Sequence, residues 1–215
     1  MNSDIKRHII FDFDGTLVDS LPVAIQIAQE MVPKLDLSPA QIEAFRQLPA
    51  KEIIKQSGIP YWRLPKLLLK GKKVLLSRLD QLHLFPGVAQ AIKQLHKDGY
   101  DLSVVSSNSE SIIRQVLERE GVEDCFEGVY GNIGLFSKTR AFKAVLRDQK
   151  VPLSQAVYVG DEVRDIESAH KAKLPVVAVS WGYNSYEILK KYQPTRLVSK
   201  TSQLVEVLES LEPTA

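Results

Sequence analysis

The stretch Ile9-Ile10-Phe11-Asp12-Phe13-Asp14-Gly15-Thr16 places two carboxylates one residue apart, where an apolar run ends. A carboxylate can attack phosphorus and hold the phosphoryl group as an acyl phosphate. A second carboxylate beside it can protonate the departing oxygen and later activate water. Gly15 allows the backbone to turn abruptly after the pair. Negative charges packed this closely repel, so a cation is expected among them. The competing reading is an acidic turn that only ends a strand. The apolar run before the pair and the Gly-Thr after it favour chemistry.

Three further signals sit at strand ends or in the loops that follow. Ser106-Ser107-Asn108 comes after Val104-Val105, and its hydroxyls and N–H groups could bind phosphate oxygens. A helix starting near Ser109 would add its positive end, although Ser and Asn are also ordinary helix caps. Lys138, in Gly134-Leu135-Phe136-Ser137-Lys138-Thr139, could neutralise a nucleophile and the transferring phosphoryl group; Lys143, one turn later, competes for that role. The stretch Val157 to Asp165 ends a strand at Gly160-Asp161 and adds a second acid four residues on. If a helix begins there, Asp161 and Asp165 share a face. Magnesium takes a few carboxylates with waters and phosphate oxygens, whereas like charges at this spacing are otherwise unfavourable. An acidic helix start is the plain alternative, and Glu162 could replace one of the ligands.

Elements able to bring these signals together are visible in the pattern. Ile9–Phe11, Leu102–Val105, Ala156–Val159 and Val176–Val179 are short runs without polar alternation, as expected of strands buried on both faces. Ile112, Ile113, Val116 and Leu117, and again Phe142, Val145 and Leu146, have helical spacing. The alternation predicts an α/β fold, a Rossmann-like doubly wound parallel sheet whose ligands gather at the carboxyl ends of its strands. Residues 20–84 break the rhythm: no strand-like run appears, and Pro33, Pro39, Gly58-Ile59-Pro60 and Pro65 divide helical stretches. This predicts a catalytic core of residues 1–19 and 85–215 with a small all-helical cap, 20–84, inserted after the first strand. The segment carries ten Lys and Arg against five acids, whereas the whole chain has a net charge of +2. A basic cap over an acidic core would suit an anionic substrate, though charged helix faces also simply meet solvent.

Composition narrows the field. At 215 residues, 44% apolar and 25% charged, the chain is an ordinary globular protein with one domain or a core and an insert. No basic stripe with a fold signature points to nucleic acid. No run approaches the roughly 18 apolar residues of a membrane span, and the N-terminus lacks a signal-peptide pattern. The single cysteine, Cys125, allows no internal disulfide and sits among acids that would raise its pKa. A cytoplasmic location is expected; the oligomeric state is left open. His8, His83, His96 and His170 show no metal-site spacing. Trp62 and Trp181 read as packing residues, although Trp181-Gly182-Tyr183 follows a strand end and could lie near the rim of the site; Arg164 reads as a solvated helix residue, with a salt bridge at the boundary between core and cap as the alternative.

Together, Asp12-Phe13-Asp14-Gly15-Thr16-Leu17-Val18-Asp19-Ser20, Ser106, Lys138 and Gly160-Asp161 with Asp165 resemble the four motifs of the haloacid dehalogenase superfamily of hydrolases. Within it the chain is similar to the phosphoglycolate phosphatase-like group, over nearly its whole length. The resemblance implies Asp12 as nucleophile and Asp14 as general acid and base. It implies phosphoryl binding by Ser106 and charge balance by Lys138. Mg2+ would be held by Asp12, the carbonyl of Asp14 and Asp161, with Asp165 acting through metal-bound water. The expected substrate is a small phosphorylated metabolite, phosphoglycolate or a sugar phosphate. Two features depart from the group. Ser107 stands between Ser106 and Asn108, leaving either hydroxyl as the phosphate ligand, and Thr139 follows Lys138 where relatives often carry Pro. A dehalogenase or phosphonate hydrolase is disfavoured by the second aspartate. A phosphomutase of the β-phosphoglucomutase type, a receiver-like phospho-accepting signalling protein and a catalytically silent interaction module remain as alternatives.

Overall fold

The computed structural model describes residues 7–35, 37–134 and 137–211. Residues 1–6, Asp36 and the Leu135-Phe136 pair ahead of Lys138 lie outside the described residues. β1 (His8–Phe11) is followed by α1 (Leu21–Met31), α2 (Pro39–Arg46), α3 (Ala50–Gln56) and α4 (Leu64–Leu76). Strand and helix then alternate: α5 (Val88–Lys97), β2 (Asp101–Val105), α6 (Glu110–Arg119), β3 (Gly128–Tyr130), α7 (Lys138–Asp148) and β4 (Ala156–Gly160). The chain finishes with α8 (Val163–Ala172), β5 (Val176–Val179), α9 (Tyr186–Lys191), β6 (Arg196–Val198) and α10 (Leu204–Glu209).

The strands form one parallel sheet in the order β3-β2-β1-β4-β5-β6. Phe11, at the end of β1, lies opposite Val104 on one side and Val159 on the other. The order reverses between β1 and β4, which opens a crevice at their carboxyl ends. Both sheet faces are covered, as the unbroken apolar runs require. Ile9, Phe11, Val104 and Val159 face a core completed by α5, α6 and α10. Ile10, Val105 and Tyr158 face a second core completed by α7, α8 and α9. Each such side chain contributes about 1.5–3 kcal/mol by leaving water. β3 and β6, absent from the sequence reading, are the two edge strands, three residues each. An edge strand is half solvated and needs no continuous apolar run.

Among the described residues, 20–84 hold helices and short 3-10 turns but no strand. α1 gives Val23 and Ile27 to the core, whereas α2, α3 and α4 bury no residue. Trp62, expected to pack, is 75% exposed. It lies ahead of α4 with no element over it, and the Arg63 guanidinium sits 4.9 Å from its ring centre. No helix among the described residues is long and apolar enough to cross a membrane.

Candidate active site

Asp12 continues the line of β1 by donating its N–H to the Val159 carbonyl at 2.8 Å. The chain then folds on itself. Leu17 and Val18 both donate to the Phe13 carbonyl, and Gly15, at φ +74°, donates to Val18. A Cβ on Gly15 would lie 2.2 Å from Asp161 Oδ2, so only glycine allows this approach. The turn buries Phe13 and leaves Asp12 and Asp14 at the carboxyl edge of the sheet. Asp12 Oδ1 accepts from the Phe13 N–H at 2.8 Å. Asp14 Oδ2 accepts from Asn108 Nδ2 at 2.8 Å.

Lys138 opens α7 and is buried. Its Nζ donates to Asp12 Oδ2 at 2.5 Å, to Asp165 Oδ1 at 2.5 Å and to the Tyr158 hydroxyl at 2.8 Å. Lys143 is exposed and takes no part.

Asp161 and Asp165 meet, but not along one helix face as their spacing suggested. α8 begins only at Val163, so Asp161 stands outside it and Asp165 lies in its first turn. The reason is a capping box: Asp165 Oδ2 accepts from the Glu162 N–H at 3.0 Å, and the Glu162 side chain reaches back. A Cβ on Gly160 would lie 2.7 Å from that same Oδ2. Asp161 is gripped separately, by the Thr16 hydroxyl at 2.8 Å and the Tyr183 N–H at 2.7 Å.

The Ser106-Ser107 pair divides its tasks. Ser106 is fully buried, and its hydroxyl oxygen accepts from the Asn108 N–H at 3.0 Å. Ser107 borders a cavity of about 440 Å³, and its carbonyl accepts from Lys72 Nζ of α4 at 2.6 Å. The cavity rises from Asp14 and Asn108 between α1 and α4. Arg164, expected in solvent, is half-buried on its rim and paired with Glu162.

Electrostatics mark the cluster as short of positive charge. Burial pushes the Asp12 carboxyl up to about 7, against the pull of Lys138. Burial also raises Asp161, with Glu162, Asp165 and Asp12 adding to it, and raises Asp14. Burial alone would raise Asp165 too, but Lys138 and Arg164 hold it below its ordinary value. One carboxylate oxygen from each of Asp12, Asp161 and Asp165 lies within 4.8 Å of the others. Three buried oxygen donors of one charge, facing a single lysine, form a donor set suited to a hard divalent cation such as Mg2+. The Asp14 side chain is not in this set; its backbone carbonyl is the group the resemblance assigns to the metal.

Several contributors have no signature in the sequence. Tyr158 reads as a strand residue of the core, yet its hydroxyl bonds Lys138. Tyr183 acts through its backbone N–H, which no residue type announces. Asn108 could have been found from its place after the serines. Arg46 of α2 donates to the carbonyls of Ser180 and Gly182, and Asn184 donates back to those of Arg46 and Leu48. These bonds tie the insert to the loop that carries Tyr183.

The family model for haloacid dehalogenase-like hydrolases matches residues 9–179. A phosphoglycolate phosphatase of Synechococcus elongatus is 35% identical over 206 residues, 94% of this chain and 97% of that protein. One of Pseudomonas fluorescens is 26% identical over 98% of this chain and 82% of its own. Among solved structures, one described as a predicted phosphatase from Clostridium acetobutylicum superposes with a TM-score of 0.82 at 19% identity. It covers 96% of this chain and 99% of that one, a likeness of fold.

Proposed function

The chain belongs to the haloacid dehalogenase-like hydrolases, and from that premise we propose that it hydrolyses a small phosphorylated metabolite through a phospho-aspartate on Asp12. The observation that carries this reading is the placement of Asp12. One of its oxygens is held by Lys138 among Asp161 and Asp165, and Asp14 stands two residues away on a separate partner.

In the first step an Asp12 oxygen bonds to phosphorus as the ester oxygen leaves. Asp14, whose pKa burial raises, gives a proton to that oxygen and the alcohol departs. In the second step Asp14, now a carboxylate, takes a proton from water. The water oxygen bonds to phosphorus, the bond to Asp12 breaks, and inorganic phosphate is released with Asp12 restored. Ser106 and Ser107 hold the phosphoryl oxygens, and Lys138 balances the charge on the nucleophile. Asp12, Asp161 and the Asp14 carbonyl would hold Mg2+, with Asp165 acting through metal-bound water, and the ion would supply positive charge to the phosphoryl oxygens and to Asp12. Residues 20–84 act as the cap, with the core in 1–19 and 85–215. The name of the Synechococcus relative puts phosphoglycolate on the substrate panel beside sugar phosphates.

The test is turnover of p-nitrophenyl phosphate and this panel, with and without Mg2+. Wild type is expected to release inorganic phosphate, to carry a transient hydroxylamine-sensitive phosphoryl group and to stop in chelator. Asp12→Asn is expected to lower kcat by about 10⁴ or more. Full activity in that variant would sink the mechanism. A stable phosphoprotein without turnover would indicate a receiver, and transfer to a sugar in place of water a mutase.

A further inference from the structure

We propose that the alcohol released by this enzyme is apolar, an alkyl chain or carbon ring, and that the space between α1 and α4 receives it. The inference rests on the phosphatase reading above. The cavity is continuous with the reaction centre, since Asp14 and Asn108 form its floor. Its walls are of another character: Ile27 and Met31 of α1, Ile54 of α3, and Leu64, Leu67 and Leu75 of α4. Leu64, Leu67, Gly71 and Leu75 recur at helical spacing, so α4 turns one apolar face inward. A Cβ on Gly71 would touch Ile27 and Met31 at 3.6 and 3.7 Å, so the two helices meet there and part toward the floor.

Size and charge select the occupant. A water molecule takes about 30 Å³ of liquid, so about 440 Å³ holds on the order of a dozen heavy atoms. That far exceeds what a two-carbon acid such as glycolate fills. The cations among the described lining residues are Lys72, which donates to the Ser107 carbonyl at the floor, and Arg164, which is paired with Glu162 on the rim. A second anionic group set against the apolar walls of α1 and α4 would lose its water there. A carbon chain gains with every methylene buried.

The experiment is a series of n-alkyl phosphates, from ethyl to octyl, assayed with Mg2+ beside phosphoglycolate and glycerol phosphate. kcat/KM is expected to rise about fourfold per methylene until the cavity is full. Ala28→Leu, which fills the space from α1, is expected to lower the octyl-to-ethyl ratio at least about tenfold. That ratio, taken within one protein, does not depend on how much of it is folded. A flat or falling series, phosphoglycolate outpacing hexyl phosphate, or an unchanged ratio in Ala28→Leu overturns the proposal while the phosphatase reading stands. No turnover of any ester overturns both.

Discussion

The carboxylate cluster and the helical insert above it are built to opposite standards. Asp12, Asp161 and Asp165 each accept hydrogen bonds at both oxygens, and Gly15, Gly160 and Gly182 leave no room for a methyl group against Asp161 or Asp165. In the insert, α2, α3 and α4 bury nothing, and Tyr61, Trp62 and Leu69 stand in solvent. The difference follows from what each region must do. Burying several like charges is tolerable only when every oxygen is held, and that holding also aims the groups at phosphorus before substrate arrives. On the function proposed above, a surface that admits and releases an alcohol would gain from weaker packing, because it would open on each turnover.

This contrast can be broken or sharpened by mutation. The largest effect is expected in the cluster. Lys138→Met leaves Asp12 and Asp165 without their shared cation and should destabilise the fold by about 3 kcal/mol, read by denaturant unfolding. It should also cut kcat by about a hundredfold or more; a fully stable, active variant would mean that the insert and the cluster do not differ as described. Next comes a matched pair of truncations. Ile92→Ala, in the core under the sheet, should cost about 3 kcal/mol. Leu69→Ala, 66% exposed on α4, should stay within about 0.5 kcal/mol. Equal losses would show that the insert is as tightly packed as the core.

The smallest effect concerns pH and the opposite end of the sheet. Burial lowers the pKa of His8 from 6.5, against Asp101, and its Nε2 lies 2.8 Å from Ser103 Oγ while Nδ1 has no hydrogen-bond partner among the described residues. Below pH 6.5 the unfolded chain therefore binds a proton that the native state resists. Stability from this group is full above about 6.5 and is lost as pH falls toward the folded pKa. The fall in Tm between pH 7 and pH 5.5 should be a few degrees smaller in His8→Gln than in wild type. An identical fall would remove His8 from the acid response.

What could be read from the sequence follows the same division. β1, β2, β4 and β5 were legible because strands buried on both faces must be apolar throughout, and β3 and β6 were not, being edges. Asp12, Asp14 and Asp161 stood out because charged residues at the ends of apolar runs need a reason, whereas Asp165 and Lys138 gained weight only in their company. The structure brings them together through contacts between strands far apart in sequence. Asn108 was visible only as part of the serine segment and Tyr183 only as part of a segment after β5; their parts, and that of Tyr158, depend on the reach of a side chain or on a backbone N–H. The shared helix face for Asp161 and Asp165 was conditional on a helix beginning at Asp161; it begins at Val163, where Asp165 caps the Glu162 N–H. In the insert, helical spacing revealed α4 but not the gap beside it, which depends on how two helices part.

The loop after β5 sets where the working unit ends. A chain cut after Val179 would keep every residue assigned a chemical task, and the family match also stops there. It would lose the Tyr183 N–H from Asp161, the Trp181 indole N–H from the Thr16 carbonyl and the Arg46 and Asn184 ties to the insert. The smallest fragment able to work is therefore longer than the list of its reactive groups suggests. For anyone trimming or fusing this protein, the boundary is drawn by scaffolding bonds that take no part in the reaction.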